Sequence, residues 1–271
     1  MWADRLPDYS VSGHSNATVF LLHGVYGAKE YWRFVTQRLV NHGYRVVAWD
    51  APGYGLSPPH DDFQLSTAAT ACANLIAKLG TSRNLIFGQS MGGQIAMRTN
   101  SRIPGLVSGL IISSTIGYLG NKSPAEQEDF VTTRLSSDSD TRSVVDKNMS
   151  MVTSMMPPGA SGPDVELVKT IAAATPGPAV QSAVKAIQAA PDQEALDALR
   201  SIRVPTLFVA GEKDNVGRPE GMRRLASLVP NSEFEIIAGC GHYGWAEKPE
   251  LFWTKLAPFL RRVIPVGVSP A

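Results

Sequence analysis

Ser90 is the residue with the clearest chemistry. It lies in Gly88-Gln89-Ser90-Met91-Gly92-Gly93, a G-x-S-x-G sequence between the apolar run Asn84-Leu85-Ile86-Phe87 and the helix-like run Gln94-Ile95-Ala96-Met97-Arg98. In a strand-turn-helix context this is a nucleophile elbow, a strained turn that lifts a serine oxygen above a sheet. Glycines two places before and after remove the Cβ atoms that would otherwise collide. Read alone, the same letters also fit an ordinary Gly-Ser turn. Serine needs a base to act as a nucleophile, and the base needs a third group to orient it.

Of the five histidines, His242 is the best base. It lies in Gly239-Cys240-Gly241-His242, after an apolar run and before the last helix, in the kind of loop where open α/β sheets bind their ligands. His14 and His60 sit in polar, turn-like sequence and read as surface residues; His42 in Asn41-His42-Gly43 reads as a helix C-cap. The orienting acid is expected between nucleophile and base. Asp214 in Gly211-Glu212-Lys213-Asp214-Asn215 fits, with Glu212 the competing carboxylate, lying close to the strand end. An Asx-turn is the structural alternative for Asp214. Acyl transfer also needs two donors for the developing oxyanion. The N–H of Met91 is one candidate and that of Val25, in His23-Gly24-Val25-Tyr26-Gly27, is the other. His23 reads as a brace for that loop.

The elements that must position these residues read as alternating strands and helices, the pattern of an α/β fold with a mostly parallel sheet. Strands are expected at 18–22, 45–49, 84–87, 107–112, 206–210 and 233–237, and helices at 28–41, 66–79, 91–100, 219–229 and 249–262. The alternation stops between about 121 and 193. That stretch carries Met156-Pro157-Pro158-Gly159, Thr175-Pro176-Gly177-Pro178 and helical periodicity at 165–171 and 180–189. It reads as a helical cap or lid (121–193) inserted into a core made of 1–120 and 194–271. Tyr26, Tyr118, Met91 and Trp245 are candidate walls, with the cap, for a mostly apolar pocket; core packing is the alternative for each.

The chain has 271 residues, 44% hydrophobic and 18% charged, enough for a large core. A net charge of +1 gives no electrostatic case for nucleic acid or an acidic membrane. Met1-Trp2-Ala3-Asp4-Arg5 leads into polar sequence and does not read as a signal peptide, and no apolar run is long enough to span a bilayer. Cys72 and Cys240 are the two cysteines, without metal-ligand spacing, and read as reduced thiols of a cytoplasmic protein. No cofactor signature and no metal site are expected. The expected partner is a small-molecule substrate, and the oligomeric state is left open.

The blocks His23-Gly24, Asp50-Ala51-Pro52-Gly53-Tyr54-Gly55-Leu56-Ser57, Gly88 to Gly93, Gly211 to Asp214 and Gly241-His242 together resemble the α/β-hydrolase fold family, in that family's order and over the whole chain apart from the cap. The resemblance implies Ser90, Asp214 and His242 as a triad in the chain order the family uses, with Val25 and Met91 at the oxyanion hole. Leu110 to Tyr118 and the run from Thr175 to Asp192 resemble β-ketoadipate enol-lactone hydrolases and small carboxylesterases. Gly239 to His242 with Trp245 and Glu247 is also similar to the meta-cleavage-product hydrolases, which break carbon–carbon bonds. Those usually carry a glycine- and proline-rich oxyanion loop, which Val25-Tyr26-Gly27-Ala28 does not match. Ser90 differs from the aspartate nucleophile of haloalkane dehalogenases and epoxide hydrolases. The short lead before residue 18 implies that the first strand of the family's usual sheet is missing. The expectation is a serine hydrolase cleaving an ester or lactone of a small, largely apolar substrate. Carbon–carbon hydrolysis and a non-enzymatic small-molecule receptor on the same fold are the alternatives.

Overall fold

The computed structural model describes residues 6–58, 62–135 and 142–266, so the readings of Met1 to Arg5 and of His60 lie outside the described residues. Among these, seven strands form one sheet: β1 (Tyr9–Ser12), β2 (Ala17–Leu22), β3 (Arg45–Trp49), β4 (Arg83–Gln89), β5 (Gly109–Ser113), β6 (Thr206–Gly211) and β7 (Ser232–Ile237). Their spatial order is β1-β3-β2-β4-β5-β6-β7. The short lead itself supplies the edge strand β1, antiparallel to β3 with Tyr9 opposite Trp49. Every other pairing is parallel. β2 and β6 are buried along their whole length, as parallel strands covered on both faces must be, and that is why they read as unbroken apolar runs. β4 runs two residues beyond its expected end, because Gly88 and Gln89 have turn-like letters yet pair with Ile112 and Ser113.

The helices are α1 (Arg33–Asn41), α2 (Leu65–Leu79), α3 (Met91–Arg102), α4 (Pro124–Thr132), α5 (Val144–Ser154), α6 (Pro163–Ala174), α7 (Gly177–Ala189), α8 (Asp192–Ser201), α9 (Pro219–Ser227), α10 (Gly244–Glu247) and α11 (Pro249–Val263). The helix expected at 28–41 is a 3-10 turn, Lys29–Trp32, followed by α1. Between β5 and β6 the described elements are a 3-10 turn, Leu119–Asn121, and the helices α4 to α8. Ser123 and Ser143 open α4 and α5 by accepting the N–H groups of Glu126 and Asp146. Proline stands in the first turn of α4, α6 and α7, where its missing N–H costs no helical bond. The last of the five, α8, packs on α3, where the buried Arg98 lies 3.4 Å from Glu194. Cys72 and Cys240 are buried, and burial pushes both thiols up to about 12. No helix among the described residues is long and apolar enough to cross a membrane.

Sheet order reverses between β2 and β4: the chain passes from β2 outward to β3, then returns to β4 on the other side. Such switch points open a crevice at the carboxyl ends of the strands. The loops after β2, β4, β6 and β7 all emerge at that end.

Candidate active site

Ser90 stands between β4 and α3 with φ 55° and ψ −117°, a conformation that L residues seldom adopt and that the surrounding bonds must hold. Its N–H donates to the Ser113 carbonyl at 2.9 Å, which ties the turn to the next strand. The loop after β2 passes very close. A Cβ on Gly24 would lie 2.5 Å from Gln89 Oε1 and 3.0 Å from Ser90 Cβ, so only glycine permits this approach.

Buried side chains fix that loop. Tyr31 takes the Gly24 N–H on its hydroxyl at 2.8 Å, and the hydroxyl lies 3.3 Å from Gln89 Oε1. The other end of the same glutamine donates to the His242 carbonyl at 3.2 Å. His23 is fully buried. Its Nε2 accepts the Ala51 N–H at 2.9 Å, so Nδ1 carries the proton and donates to the Gly24 carbonyl at 2.8 Å. Burial lowers its pKa, which keeps the ring in this neutral, bracing form.

After β6 and β7 come the acid and the histidine. His242 Nδ1 lies 3.0 Å from each oxygen of Asp214, and the two residues are 2% and 3% exposed. Asp214 Oδ1 also accepts the N–H groups of Val216 and Gly217, at 2.8 and 3.0 Å. Burial alone would raise its pKa. The His242 charge and hydrogen bond, the Val216 N–H and the Ser114 hydroxyl override that and hold the carboxyl below the usual range. The competing Glu212 is exposed and accepts the Gly239 N–H at 2.8 Å.

Glu247 brackets the histidine. Its two oxygens accept the N–H groups of Gly241 and Tyr243, at 2.7 and 2.8 Å, on either side of His242. Burial raises its pKa, and the two N–H bonds oppose that rise.

The helical insert meets the same loops. The His242 N–H donates to the Met155 carbonyl at 3.0 Å, just past α5, and Asn215 Nδ2 donates to the Ser154 carbonyl at 2.9 Å. Tyr54 Oη donates to the Val25 carbonyl at 3.0 Å and lies 3.3 Å from that of Ala179 on α7.

A cavity of about 20 Å³ is lined by Gly24, Val25, Tyr26, Gln89, Ser90 and His242 from the sheet side. Phe130, Arg134 and Met155 close it from the insert. That volume holds about one water molecule. Adjoining cavities of about 160 and 120 Å³ continue outward past Arg134. Ser90, His242, Val25 and Tyr26 therefore share one space, with Asp214 behind the histidine and Met91 buried at the first position of α3.

Of the four expected wall residues Tyr26 lines the cavity, Met91 is fully buried and absent from its lining, and the other two are elsewhere. Trp245, on α10, is packed against Tyr31 and Trp32 with ring centroids 5.0 and 4.8 Å apart, and it borders a groove between α1 and α11. Tyr118 packs against the hydrophobic core and is absent from the cavity's lining. His14 is exposed, and His42 caps α1 with Nδ1 2.8 Å from the Arg38 carbonyl. Residue types alone did not single out Ser114 or Arg134, since their roles depend on which loops and helices fold over the site. Among the described residues, no cluster of His, Cys, Asp or Glu could hold a metal ion.

The profile of a protein family described as alpha/beta hydrolase fold matches residues 17–249. A Mycobacterium tuberculosis protein that carries the name non-heme bromoperoxidase BpoC is 29% identical, over 94% of this chain and 97% of its own length. A Pseudomonas putida protein named 2-hydroxy-6-oxononadienedioate/2-hydroxy-6-oxononatrienedioate hydrolase 2 is also 29% identical, over 94% of this chain and 89% of its own. Among solved structures, a thermophilic esterase from Thermogutta terrifontis superposes with a TM-score of 0.80 at 24% identity, covering 94% of this chain and 93% of that one. This last is a likeness of fold.

Proposed function

We propose that this chain, which belongs to the α/β-hydrolase fold family, is a serine hydrolase that cleaves a carboxylic ester or lactone of a small molecule. The observation that carries the reading is the pairing of a buried, anionic Asp214 with His242, whose ring shares a cavity with the strained Ser90. In this reading His242 takes the Ser90 proton as the oxygen attacks the carbonyl. Asp214 orients the ring and stabilises its cationic form. The N–H groups of Val25 and Met91 receive the oxyanion, each contributing about 3 kcal/mol to lowering the barrier. The alkoxide leaves with the proton from His242, and water activated by the same ring releases the acid.

A fluorophosphonate probe tests this directly. Ser90 is expected to carry the label in the intact protein, and Ser90→Ala to abolish both labelling and hydrolysis of a 4-nitrophenyl ester, with kcat down by about 10⁴ or more. A folded wild-type protein that resists the probe sinks the hydrolase reading and favours a small-molecule receptor. A second reading is carbon–carbon hydrolysis of an oxo-dienoic acid, supported by the name of the Pseudomonas putida relative. Turnover of a vinylogous diketone but not of aryl esters decides for it.

A further inference from the structure

Arg134 follows α4 and reaches into the cavity that holds Ser90 and His242. Its guanidinium carbon lies over the Phe130 ring, 4.1 Å from the centroid. Nη1 is spent on the helix it ends, donating to the Phe130 carbonyl at 3.1 Å and to Thr133 Oγ1 at 3.2 Å. The Nε and Nη2 donors have no partner among the described residues. Asp129, five positions back, acts on Arg134 only at a distance and makes no ion pair with it among those residues. Glu126, which borders the neighbouring cavity, is held by Arg218 at 2.6 Å. Arg134 is half-buried, and a guanidinium edge left open at the wall of a cavity offers a carboxylate two charge-assisted hydrogen bonds.

We propose that the free edge of Arg134 receives a carboxylate of the substrate, so that the ester or lactone cleaved at Ser90 carries an acid group elsewhere in the molecule. The proposal rests on the serine-hydrolase reading and narrows its substrate class. The Phe130 ring lies against the guanidinium and Nη1 anchors it, which leaves the Nε and Nη2 edge for a bidentate pair. Tyr26 and Met155 supply apolar surface for the rest of the molecule.

The test compares 4-nitrophenyl hemisuccinate, hemiglutarate and hemiadipate with their methyl-capped diesters. The wild-type protein is expected to favour the best free acid by about tenfold or more in kcat/KM, mainly through KM. Arg134→Gln should collapse that ratio to near one, and Arg134→Lys should retain part of it. A wild-type ratio near one, or an undiminished ratio in Arg134→Gln, overturns the proposal. If Arg134→Gln does not fold, protection of wild-type Ser90 from the phosphonate probe by glutarate but not by glutaramide supports the subsite, and equal protection refutes it. Labelling of Ser90 with no acid preference refutes only the subsite. No labelling refutes the serine reading itself.

Discussion

Asp214 is held as an anion more firmly than its burial alone would allow. With its folded-state pKa below the usual value, the unfolded chain binds a proton that the native state does not, across the window between the two. Stability from this group is therefore fully present above the ordinary carboxylate value, about pH 4, and is lost as pH falls through the lowered one. Thermal melts of wild type and Asp214→Asn should differ most at neutral pH and converge toward acid. A difference that stays constant with pH would mean that Asp214 is not ionised in the native state. Only Lys213 separates Glu212 from Asp214, and choosing between them was possible from sequence because Glu212 lies too close to the strand end for its side chain to reach around. The Ser114 hydroxyl, arriving from β5, carried no such signal.

The elements were legible where burial is uniform. β2, β3 and β6 read directly as apolar runs, whereas the end of β4 did not, because its last two residues are recognised as strand only through their pairing with β5. Trp245 shows the same limit among helices. It follows the histidine by three residues, but the single turn α10 aims its ring into the aromatic core. The loop after β2 also makes a prediction of its own. Gly24→Ala would drive a methyl group into Gln89 and Ser90 and shift the Val25 N–H from the position proposed for it at the oxyanion. Loss of one such donor predicts a fall in kcat of about a hundredfold, readable in steady-state kinetics. Unchanged kcat would remove Val25 from the oxyanion hole.

At the scale of the whole molecule the site lies where the insert meets the sheet. The space beside Ser90 holds about one water, and Phe130, Arg134 and Met155 of the insert wall it. Tyr54 bridges the Val25 and Ala179 carbonyls, and so holds the loop after β2 to α7. Tyr54→Phe should cost about 1 kcal/mol in denaturant melts and speed hydrogen exchange over residues 177–189; exchange confined to its wild-type rate would mean that Tyr54 does not restrain the insert. Arg134 belongs to this scale too, because only the packing of the insert over the sheet brings it to Ser90, and nothing in its neighbours' letters says so. The bond from the His242 N–H to the Met155 carbonyl has an asymmetric consequence for how this protein can diverge. The acceptor is main chain, so this bond depends on the length of the segment from α5 and not on which side chain residue 155 carries. On the donor side Gly241 has no such latitude, since a Cβ there would lie 2.3 Å from that same carbonyl. This contact thus fixes the insert's spacing, whatever else fixes its spelling.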